Sequence, residues 1–258
     1  MKFGLEGLRV LVTAGAAGIG LKVAQAFDAE GARVHVCDVD QKALDALLVS
    51  NPRITSSVCD VSDRASVAKL FEDAIAHLGG LDCLVNNAGI AGPTGPVHEI
   101  SPDDWDRCID VCLTSQFNCT RLAVEHLKRS DNPSIVNLSS AAGKFGFPNR
   151  SPYSAAKWGV VGFTKTIAIE LGPYGIRCNA ILPGVVEGER IRRVIEAKAQ
   201  IAGKSPTEVK DAWLAHASIK ELIQPDQLAD MILFLASPRA RTFSGQAISI
   251  DGNLQALV

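Results

Sequence analysis

The sequence predicts a doubly wound, mostly parallel α/β sheet of seven strands with helices on both faces. Three observations point there. Short apolar runs alternate with longer amphipathic stretches along all 258 residues. The first run leads into a glycine-rich loop, Ala14-Gly15-Ala16-Ala17-Gly18-Ile19-Gly20, and then a helical pattern. The apolar content of 47% is ample for strands covered on both faces.

Taken in order, Leu8–Thr13 reads as strand one, and the amphipathic stretch after the loop runs to about Glu30, where Gly31 ends it. Arg33–Cys37 is strand two, closed by Asp38, and a helix follows from Gln41. Ile54–Cys59 is strand three, ending at Asp60, with Ser62 capping a helix to about Leu78. Gly79-Gly80 break that helix before strand four, Leu81–Val85, and the tetrapeptide Asn86-Asn87-Ala88-Gly89. Ser101-Pro102-Asp103-Asp104 opens one long helical region to about Lys128. Strand five is Ser134–Leu138, and Pro152 opens a helix that Gly172-Pro173 stop. Strand six is Ile176–Leu182, residues 185–222 are helical and charged, Pro225–Ala236 is a further helix and Ala247–Ile250 the last strand. No repeat or linker interrupts the order. A single domain over 1–258 is expected, with 185–222 as a helical insertion over the strands' C-terminal edge, acting as a substrate lid that could hinge at Gly188.

A formal charge of −2 argues against nucleic acid or an anionic membrane as partner. No run approaches the ~20 apolar residues of a membrane span, and the N-terminus lacks a signal-peptide layout. The seven cysteines are odd in number and scattered, as expected of buried small hydrophobes in a reducing cytoplasm. Cys108 and Cys112 are one helical turn apart, but no further ligand completes a metal site at a recognised spacing, so none is expected.

The chemistry concentrates in residues 139–157. Ser140 follows the apolar run Ile135-Val136-Asn137-Leu138, at a strand's C-terminal end, where open parallel sheets place their sites. Tyr153 and Lys157 are i and i+4, on one helical face. An ammonium there favours the phenolate, so a phenol that ordinarily ionises near pH ~10 can exchange a proton near neutrality.

Ser140 followed thirteen residues on by Tyr-x-x-x-Lys resembles the short-chain dehydrogenase/reductase family. So does the rest of the chain from about Leu8 to Gly252, with the glycine loop, Asp38, Asp60-Val61, Asn86-Asn87-Ala88-Gly89 and Pro183-Gly184 in the family's order. The resemblance implies a Rossmann fold and an oxidoreductase that passes a hydride between NAD(H) and a small secondary alcohol or ketone. It implies Tyr153 as general acid/base, Ser140 on the reacting oxygen, and Lys157 beside the tyrosine and on the nicotinamide ribose. Gly15, Ala17, Gly18, Ile19, Gly20, Asp38, Asp60, Val61, Asn87, Ala88, Gly89, Gly184 and Val186 would complete the cofactor surface with Tyr153 and Lys157. Asp38 would accept from the ribose hydroxyls and repel a 2′-phosphate, so NAD is expected over NADP. Arg150, three residues before Tyr153, matches a base that grips substrate carboxylates in some relatives, and joins Ser140 and Tyr153 as a substrate contact. Family members are usually homotetramers or homodimers, and the apolar tail Leu254–Val258 fits a buried end.

Two positions depart from the pattern. Ala14 stands where the loop's first glycine is expected, tolerable if its φ stays negative. Cys112 stands where many relatives carry an Asn that helps hold a proton-relay water. Thr114 and Ser115 are the nearby hydroxyls that could reroute the relay. These departures leave open a catalytically weak dinucleotide-binding regulatory or scaffold protein. A nucleotide-sugar epimerase or dehydratase would be expected to carry a larger C-terminal region.

Overall fold

In a computed structural model, which describes residues 3–257 except the side chain of Arg190, seven strands form one parallel sheet. The strands are β1 (Arg9–Thr13), β2 (Arg33–Asp38), β3 (Thr55–Val58), β4 (Cys83–Asn86), β5 (Ser134–Leu138), β6 (Arg177–Pro183) and β7 (Ala247–Ile250). Their order across the sheet is β3-β2-β1-β4-β5-β6-β7. The chain winds outward one way from β1 and then returns to build the other half from β4. The crevice between the β1 and β4 C-terminal ends is the switch point where such sheets take ligands. The expected tail ends on Val258, outside the described residues.

Two apolar layers sandwich the sheet. On one face α1 (Gly18–Ala29), α2 (Gln41–Ser50) and α9 (Pro225–Ala236) pack Phe27, Leu44 and Ile232 against Val10, Val12 and Val36. On the other, α3 (Arg64–Leu78), α5 (Ser115–Leu127) and α6 (Ser151–Leu171) pack Leu70, Leu127 and Ile167 against Leu11, Leu84 and Ile135. Alternate residues of one strand serve opposite layers, as the period of two requires.

The helix starts differ in a way that bears on the site. Asp40 caps α2 by accepting from Lys42 and Ala43 N–H, and Asp63 caps α3 by accepting from Ala65 and Ser66 N–H. The α3 cap is thus Asp63 and not Ser62, whose hydroxyl donates to Asp60 instead. Helix α1 begins after Ala17, whose side chain has no acceptor, so its first N–H groups lack a side-chain cap.

The region expected as one long helix is α4 (Pro102–Ile109), a π-helical turn over Asp110–Thr114, and α5. Residues 185–222 hold α7 (Glu189–Ala202) and α8 (Pro206–Ala215), joined at the left-handed Gly203 and packed on each other through Ile195, Ala199, Val209 and Trp213. No described helix is long and apolar enough to cross a membrane.

Candidate active site

The C-terminal ends of β1, β4 and β5 converge at the crevice, and side-chain hydrogen bonds lock them there. Thr13 Oγ1 accepts from Asn87 and Ala88 N–H, both at 3.0 Å. Asn87 Nδ2 donates to the Thr13 and Ala14 carbonyls at 2.9 and 3.0 Å. The motif after β4 is therefore stapled to the glycine loop, and Thr13 closes the staple. Beneath it, Asn86 Nδ2 donates to Asn137 Oδ1 at 2.8 Å and Asn137 Nδ2 to Thr164 Oγ1 at 2.9 Å, tying β4, β5 and α6 together.

The loop packs tightly on its own backbone and on β2. A Cβ on Gly20 would lie 2.1 Å from the Ala14 carbonyl oxygen, and one on Gly15 would lie 2.6 Å from Val36 Cβ. Gly18 has φ +54°. Gly15 and Gly20 thus require glycine for close approach, and the left-handed backbone at Gly18 favours it. With α1 uncapped directly behind, this cradle fits a dinucleotide pyrophosphate. Ala14 departs from expectation. Its φ is +50°, so the methyl sits in the left-handed region and the condition that φ stay negative is not met. Asp38, at the end of β2, accepts from Ala16 N–H at 3.2 Å through one carboxylate oxygen and from Asp40 N–H through the other. Asp60 is exposed, and its carboxyl is held below the usual range by hydrogen bonds from the Ser62 hydroxyl and N–H. Val61 beside it is buried. Val186 pairs with Ile223 in a short parallel bridge, while Gly184 packs so closely on Asp251 that a Cβ would lie 2.7 Å from it.

Across the crevice, β5 delivers two serines with different fates. Ser139 is buried, and its hydroxyl donates to the Lys157 carbonyl at 2.8 Å. Ser140 is half-buried and turned the other way. Its Oγ accepts from Ala142 N–H at 3.2 Å, which leaves its hydroxyl hydrogen available. Tyr153 lies half-buried on the first turn of α6. Lys157 is only 3% exposed, donates to the Leu138 carbonyl at 2.8 Å and holds its ammonium 5.6 Å from the Tyr153 ring centre. The structure thus brings Ser140, Tyr153 and Lys157 to one end of one strand. Gly89 borders them, since a Cβ there would lie 3.5 Å from Lys157 Nζ and 3.7 Å from Cys112 Sγ.

Cys112 sits within the π turn, its Sγ 3.4 Å from both the N–H and the carbonyl oxygen of Ile90. One thiol therefore ties the helix to the segment after β4, accepting one hydrogen and donating another. Its neighbour Cys108 has its thiol pushed well up by the hydrogen bond to Cys112 and by burial. Ser115, an expected relay hydroxyl, turns back to donate to the Val111 carbonyl at 2.7 Å. Gln116 is the group that reaches the lysine's surroundings. Fully buried, its Nε2 donates to the Leu138 carbonyl at 3.2 Å, the same oxygen that holds Lys157, and lies 3.4 Å from the Cys112 carbonyl. Sequence reasoning missed it. The available signal was its position four residues after Cys112, on the same helix face.

Arg150 is 3% exposed and its guanidinium donates to the Ala91 carbonyl. It lies 5.2 Å from the centres of both the Tyr153 and Phe147 rings. It is thus set into the wall beside the tyrosine rather than reaching out from it. The loop carrying it is anchored by Lys144, which pairs with Asp251 at 2.7 Å. Among the described residues no three His, Cys, Asp or Glu side chains gather to hold a metal ion.

Comparison with known proteins finds relatives along nearly the whole chain. A family model described as enoyl-(acyl carrier protein) reductase matches residues 14–254. The 3-oxoacyl-[acyl-carrier-protein] reductase of Thermotoga maritima is 35% identical over 97% of this chain and 98% of its own. An actinorhodin polyketide ketoreductase solved with NADPH superposes with a TM-score of 0.89 at 33% identity, covering 94% of this chain and 95% of that one. An NAD+-bound xylitol dehydrogenase superposes with a TM-score of 0.92 at 27% identity, covering 96% of this chain and 99% of that one.

Proposed function

This chain belongs to the short-chain dehydrogenase/reductase family, and on that footing we propose that it oxidises a small secondary alcohol, or reduces the matching ketone, with NAD(H). The observation that carries the reading is the Lys157 ammonium, bonded at the end of the strand that delivers Ser140 and 5.6 Å from the Tyr153 ring centre. A bound nicotinamide dinucleotide supplies the carbon that takes or gives the hydride. The residues of the chain do the rest. Tyr153 takes the hydroxyl proton as the carbonyl forms, Ser140 donates a hydrogen bond to the reacting oxygen, and Lys157 stabilises the negative charge on the phenol oxygen. Gln116, by sharing the Leu138 carbonyl with Lys157, fixes where that ammonium stands.

Asp38 supports NAD rather than NADP, since its carboxylate closes the end of β2 where a 2′-phosphate would meet negative charge. Gly15, Ala17, Gly18, Ile19, Gly20, Asn87, Ala88 and Gly89 line the dinucleotide's path, with Asp60 and Val61 at the adenine end and Gly184 and Val186 at the nicotinamide end. The single domain carries α7 and α8 as a lid, entered at Gly188, whose φ is +148°. Two relatives, a 3-oxoacyl reductase and a xylitol dehydrogenase, bracket the substrate range as ketones and polyols. The exposed Trp105, Phe117, Trp158 and Ile169 on α4, α5 and α6 support burial in a homodimer or homotetramer. Seven buried cysteines, none of them in a disulfide, fit a reducing cytoplasm.

The test is NADH formation by the purified protein with a panel of polyols, simple secondary alcohols and hydroxyacyl thioesters, run in parallel with NADP. We expect turnover with NAD on at least one member. An Asp38→Ser variant should narrow the NAD preference by tenfold or more. NADH binding without turnover on any member, in either direction, would remove the dehydrogenase reading.

A further inference from the structure

Helix α5 holds a buried amide that the core does not ask for. Gln116 is 1% exposed, and its Nε2 lies 3.2 Å from the Leu138 carbonyl oxygen and 3.4 Å from that of Cys112. Two acceptors around one end of the side chain identify that end as the NH2 group. The other end, Oε1, is buried and accepts from no group among the described residues. An amide oxygen left unmatched inside a protein is costly, and an apolar side chain of the same length would fill the place without that cost. Packing alone therefore does not explain a glutamine here.

Its surroundings do. The Leu138 carbonyl ends β5, two residues before Ser140, and its oxygen has two lone pairs. Lys157 donates to that oxygen at 2.8 Å and Gln116 at 3.2 Å. The second residue of α5 thus shares one acceptor with the lysine of α6. The other acceptor of Gln116, the Cys112 carbonyl, belongs to the π turn Asp110–Thr114. The amide therefore links that turn to the strand end, at the same oxygen that binds the ammonium. The ammonium in turn stands 5.6 Å from the Tyr153 ring centre. With the side of the carbonyl that Gln116 occupies left open, the ammonium would gain a second resting place there, and its distance from the phenol would no longer be fixed.

We propose that Gln116 is a positioning residue for the reaction: by occupying one side of the Leu138 carbonyl it holds the Lys157 ammonium on the other, where it assists Tyr153. The inference rests on the dehydrogenase reading of Ser140, Tyr153 and Lys157. It adds that the lysine is placed from a second helix, by a side chain that serves turnover at the expense of stability. Gln116 acts through Lys157 and not on the reacting atoms.

The experiment compares the parent with Gln116→Met, close in length and volume but without the amide, both as full chains. The readings are kcat and KM for whichever polyol, secondary alcohol or hydroxyacyl thioester the parent oxidises with NAD, and the melting temperature. We expect kcat to fall at least about fivefold, as for a misplaced catalytic group, with KM for the alcohol changed less than about threefold. The melting temperature should rise, or stay within about 2 °C of the parent's. In a Tyr153→Phe background the same substitution should lower kcat by less than about twofold, because a residue that acts through the lysine on the phenol has nothing left to assist. NADH fluorescence verifies that each variant is folded, and Gln116→Leu carries the same test should the methionine variant not fold. A smaller loss of kcat, a larger change in KM, a greater fall in melting temperature, or a larger loss in the Tyr153→Phe background would each overturn the positioning role and leave the dehydrogenase reading standing. A parent that binds NADH but oxidises no member of the panel would overturn the dehydrogenase reading itself and this inference with it.

Discussion

At the N-terminal ends of the strands, polar groups are used up in closing the fold. Arg9, the first residue of β1, forks onto Asp82 just before β4, with Nε at 2.8 Å and one terminal nitrogen at 2.6 Å. Its guanidinium lies so close over Gly80 that a Cβ there would come within 2.1 Å. Arg177, the first residue of β6, is buried and donates to the Leu235 and Ala240 carbonyls and to Asn132, closing the C-terminal end of α9. At the other ends of the same strands, α1 starts uncapped, Ala14 is held left-handed and Ser140 keeps its hydroxyl hydrogen unspent. One sheet thus has an end whose polar groups are spent on closing the fold and an end that keeps an uncapped helix start, a left-handed alanine and an available hydroxyl hydrogen. Stability should reside in the first and turnover in the second, so a change at one end should leave the other's property nearly alone.

The largest effect expected is at the open end. Tyr153→Phe removes one oxygen and should lower kcat by about 10²–10⁴-fold, the usual range for a lost general acid/base. Its melting temperature should stay within about 2 °C of the parent. A variant that melted far lower would place the tyrosine among the structural residues and break the division.

Asp82→Ala is the matching change at the closed end. Losing a charge-assisted fork should cost about 2–3 kcal/mol, or a melting temperature lower by about 5–10 °C for a chain of this size, read by thermal scan. The pH dependence gives a second reading. Burial pushes the Asp82 carboxyl up, but hydrogen bonds from Arg9, Ser130 and the Arg9 N–H outweigh it and leave the folded value lowered. A carboxyl depressed in the fold contributes stability above its unfolded value near ~4 and loses it as pH falls through the folded value. The difference between parent and Asp82→Ala should therefore be full at neutral pH and close below about pH 4.

The same division explains what could be read from the sequence. The glycine loop, the Asn-Asn-Ala-Gly turn and the Ser140, Tyr153, Lys157 spacing are local patterns whose meaning depends on a few neighbours. The alternation of apolar runs and amphipathic stretches fixed the sheet for the same reason. What stayed hidden depends on side chains meeting across elements. The π turn at Asp110–Thr114 coincides with Cys112 reaching Ile90 and with Leu113 packing beneath Gly159, where a Cβ would lie 2.7 Å from it. Nothing in the local sequence announces either contact. Lys198 of α7 read as one charge on a mixed, solvated helix face, and only the fold brings its ammonium to 4.6 Å from the Phe147 ring centre. The cap at Asp63 rather than Ser62 is a smaller miss, since both residue types cap well and Asp60 claims the serine.

Cys112 sharpens the comparison at a smaller scale. Its two contacts with Ile90 use a group that donates and accepts weakly, so they are worth about 0.5–1 kcal/mol together. Cys112→Ala should lower kcat about 2–5-fold, and Cys112→Asn, which can make the same two contacts through an amide, should raise it by a similar factor. A rise in the alanine variant would mean that the thiol holds the helix away from its working position.

The smallest effect tests whether the open end stores strain. Ala14 cannot relax its φ of +50°, because its carbonyl accepts from Asn87 Nδ2 at 3.0 Å and lies against Gly20 of α1, where even one added methyl would collide. A left-handed alanine costs roughly 1–2 kcal/mol. Glycine would relieve that but give back about 0.4–1 kcal/mol through the greater freedom of the unfolded chain. Ala14→Gly should therefore be more stable by about 0.5–1 kcal/mol, a rise of about 2 °C in melting temperature. Ala14→Val, whose branched side chain tolerates the left-handed region worse, should fall below the parent. An Ala14→Gly variant less stable than the parent would show that the methyl makes a favourable contact outweighing its backbone cost, and the contrast between the two ends of the sheet would then lose its one instance of strain.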